Sequence, residues 1–190
     1  MKGRGMLVKI VDEIESGAEA RVFPPEHKHM DLRANPKDID RIAGAQNHLP
    51  LRNFLATVNG ADSIFATARA TTKSDVPAAV PADRAYEFAS QSTVVFADPD
   101  LNWDRKNYAE LASGLKELLE RETGDTVRAV LLISSCHFAD RKRQGFCLGI
   151  RLVAEGESAQ QAETRWGLGL ARVQQALLFR SRAMRQLARD

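Results

Sequence analysis

The sequence has too few cysteines for a disulfide framework: Cys136 and Cys147 are the only two in 190 residues. No run of about 18 consecutive apolar residues occurs, so no transmembrane helix is expected. The basic start, Met1 to Gly5, is followed only by Met6-Leu7-Val8 before Lys9, Asp12 and Glu13. That stretch is too short for the apolar region of a signal peptide. Charge of one sign is also lacking. The formal net charge is +2, which gives no global argument for nucleic-acid or membrane binding. Catalytic signatures are missing as well. There is no Gly-x-Ser-x-Gly elbow, no Cys-x-x-Cys and no His-Glu-x-x-His. Gly167-Leu168-Gly169 lacks the third glycine and the preceding strand of a phosphate-binding loop. These absences read as a protein of the reducing cytoplasm with no membrane partner.

What is present is an ordinary globular balance, 44% apolar and 27% charged, in a length that suits one domain. Thr71 to Asp83, with Pro77 and Pro81, reads as an extended surface loop. Within a single α+β domain (residues 1–190), it is where an N-terminal arm, residues 1–83, would separate from a better-patterned core, residues 84–190.

Met6 to Ile14 has the half-buried pattern of a strand, and Ser16-Gly17 turns the chain toward a short strand, Ala20 to Phe23. Pro24-Pro25 stops it. Asn35-Pro36 is a helix start, with Ile39, Ile42 and Ala43 at helical spacing and Gly44 as its end. His48 to Gly60 reads two ways. Asn59-Gly60 is a hairpin signal, yet Leu51, Phe54, Leu55 and Val58 fit one helical face. The helix is favoured, because strand alternation before Asn59 is poor. Ile64 to Thr71 and Tyr86 to Phe96 read as strands. Asp104 caps a helix carrying Tyr108, Leu111, Leu115 and Leu119, which ends at Gly124. Val127 to Ser134 is a central strand. After a basic loop, Phe146, Leu148, Ile150 and Leu152 alternate as the returning strand. Ser158 to Ala188 is free of proline and reads as one long helix. Two strands joined by so short a loop are antiparallel. The expectation is an α+β fold: an antiparallel or mixed sheet with helices packed on one face and a long C-terminal helix.

Four groups of residues are candidate sites. Asp98, Asp100 and Asp104 follow an apolar strand and could converge on a divalent metal, the one cofactor the sequence suggests. The alternative is a strand-to-helix turn in which Asp104 caps. Cys136, His137 and Cys147, with His27 and His29, form a weak zinc set, although Cys136 and His137 would point to opposite faces of a strand. Arg141, Lys142 and Arg143 at a loop tip, with Arg182, Arg185 and Arg189 on the last helix, are candidate polyanion contacts. Residues 164–190 hold six arginines against Asp190 alone, whereas residues 98–125 hold eight acids and four bases. The two oppositely charged helices could equally pair with each other.

The fourth group is on the last helix. At about 100° per residue, Trp166, Leu170, Val173, Leu177 and Met184 share one stripe, while Leu168 and Phe179 lie on a second flank. A helix apolar on two sides is usually covered on two sides. Gly167 and Gly169 weaken the helix unless a close contact uses the missing side chain, and Arg180, near the main stripe, needs an acid partner.

The reading is a non-catalytic interaction protein, either a homo-oligomer or a subunit of a larger assembly, with Leu168 and Phe179 at the interface. The alternatives are a metal-assisted hydrolase or phosphoryl-transfer enzyme using the aspartates, and a nucleic-acid binder using the basic last helix. Titration of the denatured, purified protein is expected to find both cysteines as free thiols. A mass two hydrogens low, with neither thiol reactive, would contradict it.

Overall fold

The computed structural model describes residues 6–13, 20–22, 30–75, 86–121 and 127–187. Six strands form one mixed sheet. They are β1 (Leu7–Glu13), β2 (Ala20–Val22), β3 (Phe65–Asp75), β4 (Tyr86–Phe96), β5 (Val127–Phe138) and β6 (Arg143–Gly156). The order is β1-β5-β6-β4-β3, and β2 also pairs with β5, beyond the end of β1. β1 and β2 run parallel to β5, and every other pair is antiparallel. The chain before β4 therefore supplies both edges of the sheet. The short β2 continues the edge that β1 begins and does not fold back on β1 as a hairpin.

The helices are α1 (Ala43–Asn47), α2 (Leu49–Val58), α3 (Arg105–Arg121) and α4 (Ala159–Leu187), with 3-10 segments at Pro36–Arg41 and Pro99–Trp103. The expected helix from Asn35 is thus a 3-10 turn followed by α1, and Gly44 lies inside α1. Asn35 makes no side-chain cap. The ambiguous segment is helical: Leu51, Phe54, Leu55 and Val58 are all buried in the core. Asn59 does not turn a hairpin. Its amide donates to the Leu55 carbonyl and to Thr67 Oγ1, and its Oδ1 accepts from Thr67 N–H, tying the end of α2 to β3. The expected loop from Thr71 begins inside β3, which runs on to Asp75. Its remainder and Gly124 lie outside the described residues.

Helices cover one face of the sheet. Val127, Ala129, Leu131 and Ile133 of β5 join Leu148, Ile150, Leu152 and Ala154 of β6 in the main core. Among the described residues nothing covers most of the other face. β5 does not stop at Ser134, the end expected from the sequence. It continues to Phe138 in unbroken register, and its buried parity moves to the opposite face. The reason is the Pro99–Trp103 segment, which folds over that end of the open face. Cys136, Phe138, Cys147, Val95 and Val22 form a second small cluster there, packed by Trp103. A Cβ on Gly145 would stand 2.7 Å from the Asn102 carbonyl oxygen and 2.9 Å from Trp103, so only glycine admits this cover.

α4 packs across β6 and β4, flanked by α2 and α3. Trp166 is fully buried, its Nε1–H donates to Ser90 Oγ at 2.7 Å, and its ring meets Phe88 at 4.5 Å. The two α4 glycines serve the close contacts anticipated. A Cβ on Gly167 would meet Pro50 of α2 at 2.9 Å, and one on Gly169 would meet Val127 of β5 at 2.8 Å. Arg180 corrects an expectation. Among the described residues it has no acid partner, its Nε is buried without a hydrogen bond, and the guanidinium lies over Gly114 of α3.

Gly156, at the end of β6, leads into α4. A Cβ there would stand 2.5 Å from the Ala162 backbone nitrogen, so backbone must move. Gly156→Ala is expected to lower unfolding stability by about 1–3 kcal/mol, the usual cost of overpacking. Urea unfolding followed by circular dichroism checks this, and an unchanged midpoint would contradict it.

Candidate functional site

The outward face of α4 exposes two large apolar side chains. Leu168 is 61% exposed and Phe179 is 57% exposed. Eleven residues apart, they differ by about 20° around the helix and by about 16 Å along it, so they share one ridge. Ala171 and Gln175 lie exposed between them. The second apolar flank read from the sequence is real, and among the described residues nothing covers it. Beside Leu168, α2 and α4 enclose a groove of about 510 Å³ lined by Pro50, Asn53, Glu163, Thr164 and Gly167. Glu163 accepts a 2.7 Å hydrogen bond from His48 Nδ1, and the His48 ring packs edge-on against Phe88.

The aspartates do a different job from the one chemistry would need. Asp98 Oδ1 accepts from Asp100 N–H, and Asp104 Oδ1 accepts from Lys106 N–H at the start of α3. Asp100 is exposed. No group of three or more His, Cys, Asp or Glu side chains is placed to hold a metal ion among the described residues. Asn102, which sequence reasoning passed over, is the organising residue of this turn. Its Oδ1 accepts from Phe96 N–H and from the buried Tyr108 hydroxyl, and its amide donates to the Phe96 carbonyl. Burial pushes the Tyr108 phenol far above its ordinary range. A buried Asn between two apolar elements was the signal available in the sequence.

The proposed zinc set is not assembled. Cys147 pairs with Ser134 and His137 with Gln144, which puts Cys147 and His137 on opposite faces. His27 and His29 lie outside the described residues. The two cysteines do meet, on the open face, as a buried, unbridged pair. The Cys136 thiol donates to Cys147 and lowers its pKa, while Cys136 itself is pushed up by that bond and by burial.

The basic residues divide. Arg143 stacks on Trp103 at 4.5 Å, and Arg141 pairs with Asp140. Lys142, at the hairpin tip, has φ of 50°. Arg185 donates to the carbonyls of Ala61 and Ser63, so it braces the chain entering β3. Arg182 is exposed, and Arg189 lies outside the described residues. Three ion pairs of α3 are internal, Lys106–Glu110, Lys116–Glu120 and Glu117–Arg121, while Arg105 at its start pairs with Asp12 of β1, and none reaches α4 among the described residues. Arg143 is thus tied to the segment after β4 and Arg185 to the segment before β3. Sequence reasoning missed a third basic group, Lys9, Arg69 and Arg151 on the open face of the sheet. The alternation of β6, with Arg151 between Ile150 and Leu152, carried that signal.

No helix among the described residues is long and apolar enough to cross a membrane. The chain matches no known protein family, no curated protein and no solved structure.

The thiol pair gives a pH prediction. One thiolate is expected to form below the ordinary cysteine range as pH rises, because the neighbouring S–H stabilises it. The second is expected not to form while the protein is folded, since two adjacent buried anions would result. Thiolate absorbance against pH checks this. In Cys136→Ala the Cys147 titration is expected to move up, and a titration that stays in place would contradict the assignment.

Proposed function

We propose that the chain is a non-catalytic interaction protein that assembles with a second copy of itself along the outward face of α4. The ridge of Leu168 and Phe179 carries this reading. A two-fold axis across the middle of the ridge sets Leu168 of one copy against Phe179 of the other, the self-complementary arrangement of an isologous interface. Between them Ala171, Arg172 and Gln175 intervene on or near the ridge. Large exposed apolar groups gathered on one ridge are what an association surface looks like, whereas scattered ones would be ordinary. The capping roles of Asp98 and Asp104 leave the enzyme reading without a support of this kind. The reducing cytoplasm is part of the same proposal. Its support is the buried Cys136–Cys147 pair, in contact yet unbridged.

Light scattering over a wide dilution series tests the assembly. A mass of twice 21.0 kDa that falls on dilution is expected. Phe179→Asp is expected to yield monomer with an unchanged circular dichroism spectrum, because the side chain is exposed. A mass of 21.0 kDa at every concentration would overturn self-association.

A further inference from the structure

We propose that the open face of the sheet binds single-stranded nucleic acid, with Lys9, Arg69 and Arg151 as its phosphate contacts. The surface lies on the side of the sheet away from α4 and is independent of self-association. Its composition follows from the register. Lys9 pairs with Val130, Val130 with Arg151, Arg151 with Gln91, and Gln91 with Thr71. One row thus crosses five strands, with Lys9 near one edge and Arg151 at the centre. In the next row, Val11, Leu132, Gly149, Thr93 and Arg69 are partners in turn. Lys9, Arg69 and Arg151 are all exposed, and among the described residues none of them makes a hydrogen bond or an ion pair. Adjacent strands stand about 4.8 Å apart, so the three cations span about 20 Å across the sheet at intervals of about 10–12 Å.

Among the residues whose side chains are described, the acids of this face are engaged away from these cations. Glu87 and Glu155 are both bound to Arg128, at 3.1 and 2.5 Å, at the far end of the face. The centre keeps its positive charge. The floor between the cations is apolar and low, made by Val11, Val130, Leu132, Gly149 and Val153. A ligand that fits must offer regularly spaced anions and flat apolar surface together. An unpaired strand offers phosphates to the cations and base faces to the aliphatic floor. A duplex offers its bases to no such floor, and an acidic peptide lacks the flat apolar faces. A second copy fits worst. Arg151 is central, so a two-fold axis through the face would bring it against its own copy.

Fluorescence anisotropy on the full chain tests this, using a labelled mixed-sequence oligonucleotide and the duplex of the same length, at low and near-physiological salt. The single strand is expected to bind about tenfold more tightly than the duplex, with a log–log salt slope of about −0.7 per contact, roughly −2 in all. Replacing the three cations together, by Lys9→Gln, Arg69→Gln and Arg151→Gln, is expected to weaken binding by at least about tenfold and to flatten the slope toward zero. These side chains are exposed, so the circular dichroism spectrum should stay the same. Arg182→Glu on α4 should leave binding unchanged. Any of four results would overturn the proposal: no binding at low salt, equal binding of duplex and single strand, full binding by the triple variant, or competition by polyglutamate equal to that by oligonucleotide at matched charge. Phe179→Asp monomer that still binds would keep this inference apart from the assembly.

Discussion

The distance between α4 and the sheet is the constraint on which the rest of the molecule depends. A helix of 29 residues is set close enough to two strands and a second helix that three positions tolerate no side chain. Gly156 lets the chain leave β6 and turn back at once, Gly169 lets the helix settle on Val127, and Gly167 lets α2 cross it. In the space so defined, Trp166 fills the volume between the sheet and α2 and spends its single N–H on Ser90. Burial of a ring of this size removes on the order of 200 Å² from water, worth about 5 kcal/mol at about 25 cal/mol per Å². Two helix-weakening glycines, at about 1 kcal/mol each, are a small cost against that.

A second constraint works at the opposite corner. Asn102 satisfies both backbone groups of Phe96 and takes the Tyr108 hydroxyl, so the turn after β4 is locked to the start of α3. The lock holds Trp103 over Gly145 and closes one end of the open face with the cysteine cluster. The remainder of that face receives no cover from the described chain. The two layers thus divide the surface into an apolar helix ridge on one side and a cationic sheet floor on the other.

Much of this was legible because burial repeats locally. The stripes of α3 and α4, the helical face of Leu51 to Val58 and the alternation of β6 each declare one buried side within a few turns or residues. The position of Leu168 and Phe179 followed from helix angle alone. What escaped reading depended on partners remote in sequence. The end of β5 changes its buried face because of a turn some forty residues earlier in the chain. The parallel edge of β1 and β2 has no local mark, and the cations of the open face matter only once that face is known to lack a cover. Arg180 lies over a glycine of another helix where an acid was expected, and no pattern within α4 could announce that.

The parallel pairing of β1 with β5 has a consequence for how the chain is made. Leu7 meets Arg128, so the first strand synthesised waits for most of the protein before its neighbour exists. The β4–β3 and β5–β6 hairpins can close early because their strands are near in sequence, whereas the β1 edge must close a loop of well over a hundred residues. Until it does, β5 presents an unpaired edge rich in Val, Leu and Ile, the kind of template on which other chains add. Slow edge closure leaves that template exposed longest, so the burial of the β5 edge depends on the arrival of β1.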